Sequence, residues 1–344
     1  MKNSKEYKTG IESIDEKIGQ LAKNISSHNT DLLTQMLTTI SKAGLELKDR
    51  GDLKLINTAL KELRYASKVF SPFRNMRKAV IFGSARIKPD DHSYRMAEEL
   101  AELLVKNDFK VITGGGPGIM EAGNKGAGRE DSFSLNIRLP FEQGHNPYII
   151  GDKKAMTFKY FFNRKLFFLK ESDATILFPG GFGTLDEGFE NLTLIQTGKS
   201  KPRPIILIEP PHSQYWGHWL DLVMGVLAGK GYISRDDLHL FIHTDKVNEA
   251  IEHIQNFYKV YHSIRYVKDK TVLRLTQKLS SENIDLLNKK FKKILKKGSI
   301  IQGNPLPEEM RNNEFPELPR LVLNFDRHHY GKLCEMINII NAMG

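Results

Sequence analysis

The chain has 344 residues and a formal net charge of +10, with 40% hydrophobic and 27% charged residues. This composition is typical of a globular protein that holds one large domain or two. No apolar run is long enough to span a membrane, and the first residues lack the apolar core of a signal peptide. The single cysteine, Cys334, excludes an internal disulfide framework and a cysteine metal cluster. We therefore expect a cytoplasmic protein without a membrane partner.

Residues 1–76 predict an N-terminal helical extension. Apolar side chains recur at helical spacing in three stretches between Ile11 and Phe70, which favours three helices. No residue type or spacing in this region suggests catalysis. A helical cover or an oligomerisation element is the simplest interpretation.

Residues 77–260 predict a Rossmann-like, doubly wound parallel sheet, because short apolar runs alternate with helical patterns from Lys78 to Tyr258. The predicted strands are 79–82, 109–113, 132–139, 148–150, 174–178, 204–208 and 238–243. The predicted helices include 93–107, 120–126, 157–171, 215–227 and 246–258. We expect the helix at 157–171 to be buried, since it is apolar nearly all round.

Residues 261–344 depart from this alternation and predict a C-terminal α+β appendage. The pattern indicates an amphipathic helix over 281–297, a strand over 320–325 and a last helix over 330–342. Basic residues outnumber acidic ones here, and six lysines lie between Lys289 and Lys297. Such a run is usually a solvated helix face, with an anion-binding surface as the alternative.

Three glycine-bearing turns follow predicted strands, and ligands of doubly wound sheets bind at the carboxyl ends of strands. The turns contain Gly83 and Ser84; Gly114, Gly115 and Gly116; and Gly180 to Thr184. None fits the dinucleotide fingerprint, and none ends in the Gly-Lys-Ser/Thr of a Walker A loop. A mononucleotide or a sugar phosphate therefore fits better than NAD or ATP hydrolysis.

The third turn predicts a phosphate site. Gly180, Gly181 and Gly183 allow a sharp bend and a close approach to a ligand. A helix follows, and Thr184 with Glu187 has the spacing of a capping box. Free amides at such a helix start bind anions. Glu187 is a cap in one interpretation, and in the other it lies at a ribose, where it supports positive charge or activates water.

Arg164 lies on a predicted buried helix, between apolar residues at helical spacing. A buried guanidinium requires an anionic partner, which is either a ligand or a protein carboxylate. The sequence pattern leaves both open, and Glu187 is the candidate for a structural ion pair.

Three segments together resemble the Lonely Guy (LOG) family, whose members are often labelled lysine decarboxylases. They are GGGPGIMEAGNKGA (114–127), NRK (163–165) and PGGFGTLDE (179–187). The family signature is PGGxGTxxE with an upstream Arg-Lys pair, and here Glu187 follows Arg164 by 23 residues, as in the family. The resemblance covers roughly residues 77–258. No motif marks the Schiff-base lysine that pyridoxal-dependent decarboxylation needs.

The resemblance implies a hydrolase that cleaves the N-glycosidic bond of AMP or a cytokinin riboside 5′-monophosphate, giving free base and ribose 5-phosphate. It makes Arg164 and Glu187 the catalytic pair, and assigns phosphate or ribose contacts to Lys165 and the Gly181–Thr184 turn. It adds Thr193 and Asn146 as ligand contacts. The family also implies a homodimer or higher oligomer, with neither a cofactor nor a metal.

A second hypothesis is a non-catalytic protein of the same fold that senses nucleotides or binds single-stranded nucleic acid through its basic C-terminal residues. Nucleic-acid binding does not require the spacing between Arg164 and Glu187. The sequence therefore favours the enzyme, and nucleic acid is the less expected partner.

Overall fold

A computed structural model describes residues 7–140, 144–310 and 314–344. The chain divides into two compact units, one that ends at Tyr65 and one that runs from Ala66 to Gly344. Among the described helices, none combines the length and the apolar character that crossing a membrane requires. The domain boundaries near residues 76 and 260, and the cytoplasmic location, stay predictions.

The three helices predicted for the N-terminal region are confirmed. They are α1 (Glu12–Ile25), α2 (Thr30–Glu46) and α3 (Arg50–Phe70). In α1, Ile18 and Ala22 are buried, and their separation of four residues places both on one face of the helix.

The second unit contains a seven-stranded sheet, which confirms the predicted α/β class. Its strands are β1 (Arg77–Phe82), β2 (Phe109–Thr113), β3 (Ser132–Ile137), β4 (Ala155–Phe158), β5 (Ala174–Leu177), β6 (Ile205–Ile208) and β7 (Ile242–Thr244). They lie in the order β4-β3-β2-β1-β5-β6-β7, and all neighbours are parallel. The chain first adds strands on one side of β1 and then continues on the other side with β5. The switch point of the doubly wound sheet therefore lies between β1 and β5.

Helices pack against this sheet. They are α4 (His92–Lys106), α5 (Ile119–Asp131), α6 (Phe161–Glu171), α7 (Phe182–Gln196), α8 (Tyr215–Asp221), which continues as a π-helix (Leu222–Ala228), and α9 (Val247–Phe257). One core cluster joins apolar residues of α4, α5 and α9 to the central strands. Strands buried in this way read as continuous apolar runs, which is why sequence patterns located β1, β2, β5 and β6.

Two predictions about the region before the Arg-Lys pair are wrong. Residues 148–150 form a turn that ends at Gly151, whose φ is +78°, and the fourth strand is β4. This strand occupies the start of the predicted helix at 157–171, because pairing with β3 overrides local helix preference. The helix α6 is not buried all round, since Phe161, Phe162 and Leu166 are about half exposed.

The strand predicted at 238–243 is also mostly wrong. Residues Arg235–Leu240 form a 3₁₀ helix, and only the short β7 follows. Ser234 and Asp237 form a capping box at the start of this helix, and each side chain satisfies a backbone donor that would otherwise lack a partner.

The C-terminal residues form the predicted α+β appendage, built on a second sheet. Its elements are β8 (Tyr261–Val267), β9 (Lys270–Leu275), α10 (Ser281–Lys290), β10 (Leu295–Gly303), α11 (Pro307–Met310), β11 (Arg320–Phe325) and α12 (Tyr330–Ala342). The strand order is β10-β11-β9-β8, with antiparallel neighbours. The last strand and helix were predicted, whereas the β8–β9 hairpin was not.

The single helix predicted over 281–297 is wrong. The observed helix α10 ends at Lys290, and Leu295 already begins β10, which pairs with β11. The lysines between Lys289 and Lys297 therefore lie on a helix end, a 3₁₀ turn and a strand rather than on one helical face.

Candidate active site

The turns that follow β1 and β5 meet at the switch point of the sheet. Ser84 N donates a hydrogen bond to Pro179 O (3.0 Å), and Ile119 N donates to Ser84 O (3.1 Å). These bonds join the turns after β1 and β5 to the start of α5. The three glycine-bearing turns, including Gly83, therefore line one crevice, at the edge where the sequence places a ligand.

Two glycines are required by close packing in this crevice. Gly118 has φ +67°, and a Cβ there would lie 2.3 Å from Ser84 O. Gly115 has φ +74°, and a Cβ there would lie 1.9 Å from Ser134 Oγ. Side chains are excluded at both positions by protein atoms and by backbone conformation. The glycine at 115 is thus explained by its packing against β3.

The helix α7 begins at the glycine turn, but its cap differs from the prediction. The N-cap is Gly181, with no side-chain cap, and Thr184 lies in the first turn with its N–H bonded to Gly181 O (3.0 Å). The capping box of Thr184 with Glu187 is therefore wrong, because the helix starts earlier than the sequence pattern suggests. Phe182 is 94% exposed, and Gly183 is also exposed. The start of α7 is therefore accessible to a ligand, and helix starts favour anions.

Tyr215 fixes the carbonyl of this turn. Its hydroxyl donates a hydrogen bond to Gly180 O (2.6 Å), and its ring packs edge-on against Trp216 (4.8 Å between centroids). The peptide between Gly180 and Gly181 is thereby held in one orientation.

Glu187 is a buried carboxylate on the first turns of α7, only 5% exposed. Oε1 lies 3.4 Å from Lys165 Nζ, whereas Oε2 has no hydrogen-bond partner in the segments that the structure describes. Burial raises the pKa of Glu187 to about 7, although the nearby charges of Lys165 and Arg164 lower it. This carboxyl group therefore exchanges a proton near neutral pH.

Arg164 projects from the start of α6 with its guanidinium 5.0 Å from the centroid of the Phe168 ring. Its Nε is buried and lacks a hydrogen-bond partner within the described chain. Burial lowers the pKa of Arg164, and the charge of Glu187 opposes this effect. Glu187 forms its ion pair with Lys165 rather than with Arg164. The structural Arg164–Glu187 ion pair considered from the sequence is therefore not formed.

Lys165 contacts three carboxylates of α7. Its Nζ lies 2.7 Å from Glu190 Oε2, 2.9 Å from Asp186 Oδ2 and 3.4 Å from Glu187 Oε1. Burial lowers the pKa of Lys165, but the hydrogen bonds to Glu190 and Asp186 raise it by a larger amount, so that the net shift is upward. Lys165 joins α6 to α7 and holds Glu187 in place. Its predicted phosphate contact stays a prediction.

A cavity of about 290 Å³ opens beside Arg164. Backbone of Gly114 and Gly116 forms one wall. The other residues that line it are mostly apolar: Ala85, Pro117, Met120, Asn136, Ile137, Leu139 and Phe161. Its size is at the lower end of the range for small-molecule pockets, and its apolar wall with few polar groups is typical of them.

The remaining predicted contacts differ in environment. Asn146 is buried, and its Nδ2 donates to Asn124 Oδ1 (2.9 Å) and to Gly116 O (3.2 Å). Its amide therefore supports the second glycine turn. Thr193 is exposed in the second half of α7. Ligand contacts of both residues stay predictions.

Several residues at this site were not found from the sequence. Asp186 and Glu190 flank Glu187, and their spacing on one helix could have pointed to Lys165. Asn191 donates from Nδ2 to Glu187 O (2.8 Å). Neither Tyr215 nor Asn136 carries a sequence signal, since distant segments bring them to the crevice. In the described ranges, no three His, Cys, Asp or Glu side chains are grouped to bind a metal.

Comparisons with known proteins are consistent with the motifs. A family model described as possible lysine decarboxylase matches residues 118–254. A cytokinin riboside 5′-monophosphate phosphoribohydrolase of Mycobacterium tuberculosis is 34% identical over 90 residues, covering 26% of this chain and 45% of the relative. The cytokinin riboside 5′-monophosphate phosphoribohydrolase LOG1 of Arabidopsis thaliana is 28% identical over 171 residues, covering 48% of this chain and 76% of the relative.

Solved structures with a related sheet include a molybdenum cofactor carrier protein of Chlamydomonas reinhardtii, 19% identical, with a TM-score of 0.35 over 52% of this chain and 96% of that one. DNA processing protein A of Helicobacter pylori is 17% identical, with a TM-score of 0.36 over 53% and 82%. TM-scores this low carry no functional argument. The family model and the curated phosphoribohydrolases confirm, at modest identity, that this chain resembles the Lonely Guy family.

Proposed function

We propose that this protein is a nucleoside 5′-monophosphate phosphoribohydrolase. It cleaves the N-glycosidic bond of AMP or of a cytokinin riboside 5′-monophosphate and releases the free base and ribose 5-phosphate. The observation that carries the proposal is the pair Arg164 Nε and Glu187 Oε2. Both are buried polar atoms without a hydrogen-bond partner in the described residues. The charge of each residue shifts the pKa of the other, and Glu187 lies on the helix whose exposed start suits an anion.

The substrate orientation follows from the chemistry of each part. A phosphate suits the accessible first turn of α7, where amides and the helix dipole favour negative charge. A planar base suits the cavity walled by Met120 and Phe161. The ribose then lies between them, within reach of Glu187. An anionic substrate also supplies an acceptor for the buried Arg164 Nε, which has no hydrogen-bond partner in the described residues.

Glu187 performs the central step. The bond between C1′ and the base nitrogen breaks, positive charge develops on the ribose ring, and the carboxylate stabilises it. A water molecule then adds its oxygen to C1′, with one proton passing to Glu187 and finally to the departing base. A carboxyl pKa of about 7 suits this exchange, since an acid–base group works best when its pKa is near the working pH.

Exposed apolar side chains on α6 and α7 suggest that the protein self-associates. Phe161, Phe162 and Leu166 of α6 and Phe189 of α7 are 41–53% exposed, and exposed apolar groups of this kind favour association. We propose a homodimer or a larger homo-oligomer formed through this surface. Light scattering after size-exclusion chromatography tests it, and a monomer at all concentrations contradicts it.

The decisive experiment is a product assay on the purified protein. AMP, GMP, CMP, UMP and isopentenyl-adenosine 5′-monophosphate are each supplied, and free base and ribose 5-phosphate are quantified. Glu187→Gln, which keeps the shape of the side chain, is the control. Release by the wild type alone supports the proposal and ranks the bases.

Tight monophosphate binding without release contradicts the enzyme and favours a nucleotide sensor. Binding of single-stranded nucleic acid that weakens steeply with salt, and is lost without the lysines of 289–297, favours the second hypothesis instead.

A further inference from the structure

Asn136 lies next to the last residue of β3 and lines the cavity beside Arg164. The residue is only 7% exposed. It lies outside every motif that carries the family resemblance, and the reaction described above does not use it. A buried amide at a cavity wall requires an explanation, because nearly all buried polar groups in folded proteins have partners.

The orientation of this amide is fixed by the backbone. Oδ1 accepts a hydrogen bond from Ile137 N (2.7 Å), so that the oxygen faces the chain and the nitrogen faces away from it. Nδ2 is buried and has no hydrogen-bond partner in the described parts of the chain. Asn136, which lines the cavity, therefore has an unpaired donor in a set direction, whereas its oxygen is already bonded to the backbone.

The surroundings leave this donor with few possible partners from the protein. The walls are formed largely by apolar side chains, among them Met120, Ile137 and Leu139. The guanidinium of Arg164 is itself a donor and cannot accept a hydrogen bond. A ligand that fills the cavity must satisfy Asn136 with an acceptor atom of its own, or leave a buried donor unpaired.

We propose that Asn136 is a specificity-determining residue that reads the base, by donating one hydrogen bond from Nδ2 to an unprotonated ring nitrogen of a purine. This inference rests on the proposed function and names how that site selects its substrate. A purine that lacks the accepting nitrogen leaves Nδ2 unpaired, and a site built around a hydrogen bond discriminates strongly against such analogues.

The test compares ligands with and without the acceptor. Dissociation constants are measured by calorimetry for AMP, for its 1-deaza, 3-deaza and 7-deaza analogues, and for ribose 5-phosphate, which has no base. The proteins carry Glu187→Gln so that AMP is not consumed, with or without Asn136→Ala or Asn136→Asp. Asn256→Ala, at an exposed asparagine of α9 that does not line the cavity, is the matched control, and thermal unfolding checks that each variant is folded.

We expect Asn136→Ala to weaken AMP binding about tenfold, the factor of one hydrogen bond, while ribose 5-phosphate binding is unchanged. The protein that carries Glu187→Gln alone binds one deaza analogue about tenfold more weakly than AMP. The protein that also carries Asn136→Ala binds AMP and this analogue about equally. Asn136→Asp, with an acceptor in place of the donor, disfavours AMP further. Asn256→Ala retains the discrimination.

Equal losses for AMP and ribose 5-phosphate overturn the proposal, because they indicate a structural role for Asn136. Unchanged AMP binding in Asn136→Ala also overturns it. In either case, wild-type hydrolysis of AMP leaves the proposed function intact. If the wild type neither hydrolyses nor binds any monophosphate, the proposed function fails, and this inference fails with it.

Discussion

Two buried charge clusters in this chain use the same residue types with opposite results. In the C-terminal appendage, Glu309 bonds Arg274 at 3.0 Å and Arg320 at 3.5 Å, and its Oε2 also accepts from Leu306 N (3.2 Å). Burial raises the pKa of Glu309, but these bonds and charges bring it below its ordinary value. In the crevice, burial dominates, and the pKa of Glu187 rises to about 7.

The two clusters differ in whether their buried polar atoms all have hydrogen-bond partners. No atom of the Glu309 cluster is among the buried polar atoms without a partner in the described residues, whereas Arg164 Nε and Glu187 Oε2 both are. A saturated cluster maintains the fold, and its carboxylate is ionised. An unsaturated cluster retains bonding capacity and a titratable proton, which are the properties that a ligand and a reaction use.

The largest expected effect is on catalysis. Glu187→Gln removes the carboxylate but keeps its size, and we expect kcat for AMP to fall about 10⁴-fold, equivalent to about 5.5 kcal/mol of activation free energy. Glu309→Gln, measured in the same assay at a temperature where it is folded, keeps kcat within about twofold. Equal losses in the two variants would abolish the distinction between the clusters.

The next effect is on stability, and it belongs to the saturated cluster. Glu309→Gln leaves the buried guanidiniums of Arg274 and Arg320 without their shared carboxylate. We expect the free energy of unfolding in urea to fall by about 4 kcal/mol. Its neighbour Glu308 pairs with Lys268 at the surface, so that we expect Glu308→Gln to leave the free energy of unfolding nearly unchanged. A loss in Glu308→Gln as large as that in Glu309→Gln would show that burial is not the cause.

The third effect depends on pH. The folded-state pKa of Glu187 is about 7, against an ordinary 4.5, so that the folded state binds this proton more tightly than the unfolded state does. The resulting stability is fully present below about pH 4.5 and is lost as pH rises through 7. We expect the stability of Glu187→Gln relative to wild type to increase by about 3 kcal/mol from pH 4 to pH 8. Urea unfolding at both pH values measures it, and a constant difference contradicts it.

The smallest effect concerns the phosphate turn. Tyr215→Phe removes the hydrogen bond to Gly180 O but keeps the ring against Trp216. We expect KM for AMP to rise about fivefold, the free energy of unfolding to fall by about 1 kcal/mol, and kcat to change little. Tyr232→Phe, at a ring that is 71% exposed, is the control without effect. An unchanged KM would mean that the turn is ordered without Tyr215.

The sequence by itself determined the central strands of the sheet and the glycine turns of the crevice. Central strands such as β1 and β5 are continuous apolar runs, and the glycine turns after them can only meet where parallel strands end. The helix carrying Arg164 and the helix carrying Glu187 were both located by pattern. These features are local, because each depends on residues that are close together in the chain.

Only the tertiary structure decided which side chains contact one another. It assigned Lys165 to three carboxylates of α7, left Arg164 without an ion pair among the described residues, and brought Asn136 and Tyr215 to the crevice. It also made β4 and β10 strands where local patterns favoured helices, since each gains a partner strand from elsewhere in the chain. Burial and hydrogen-bond partners arise from such long-range contacts, which no short stretch of sequence encodes by itself.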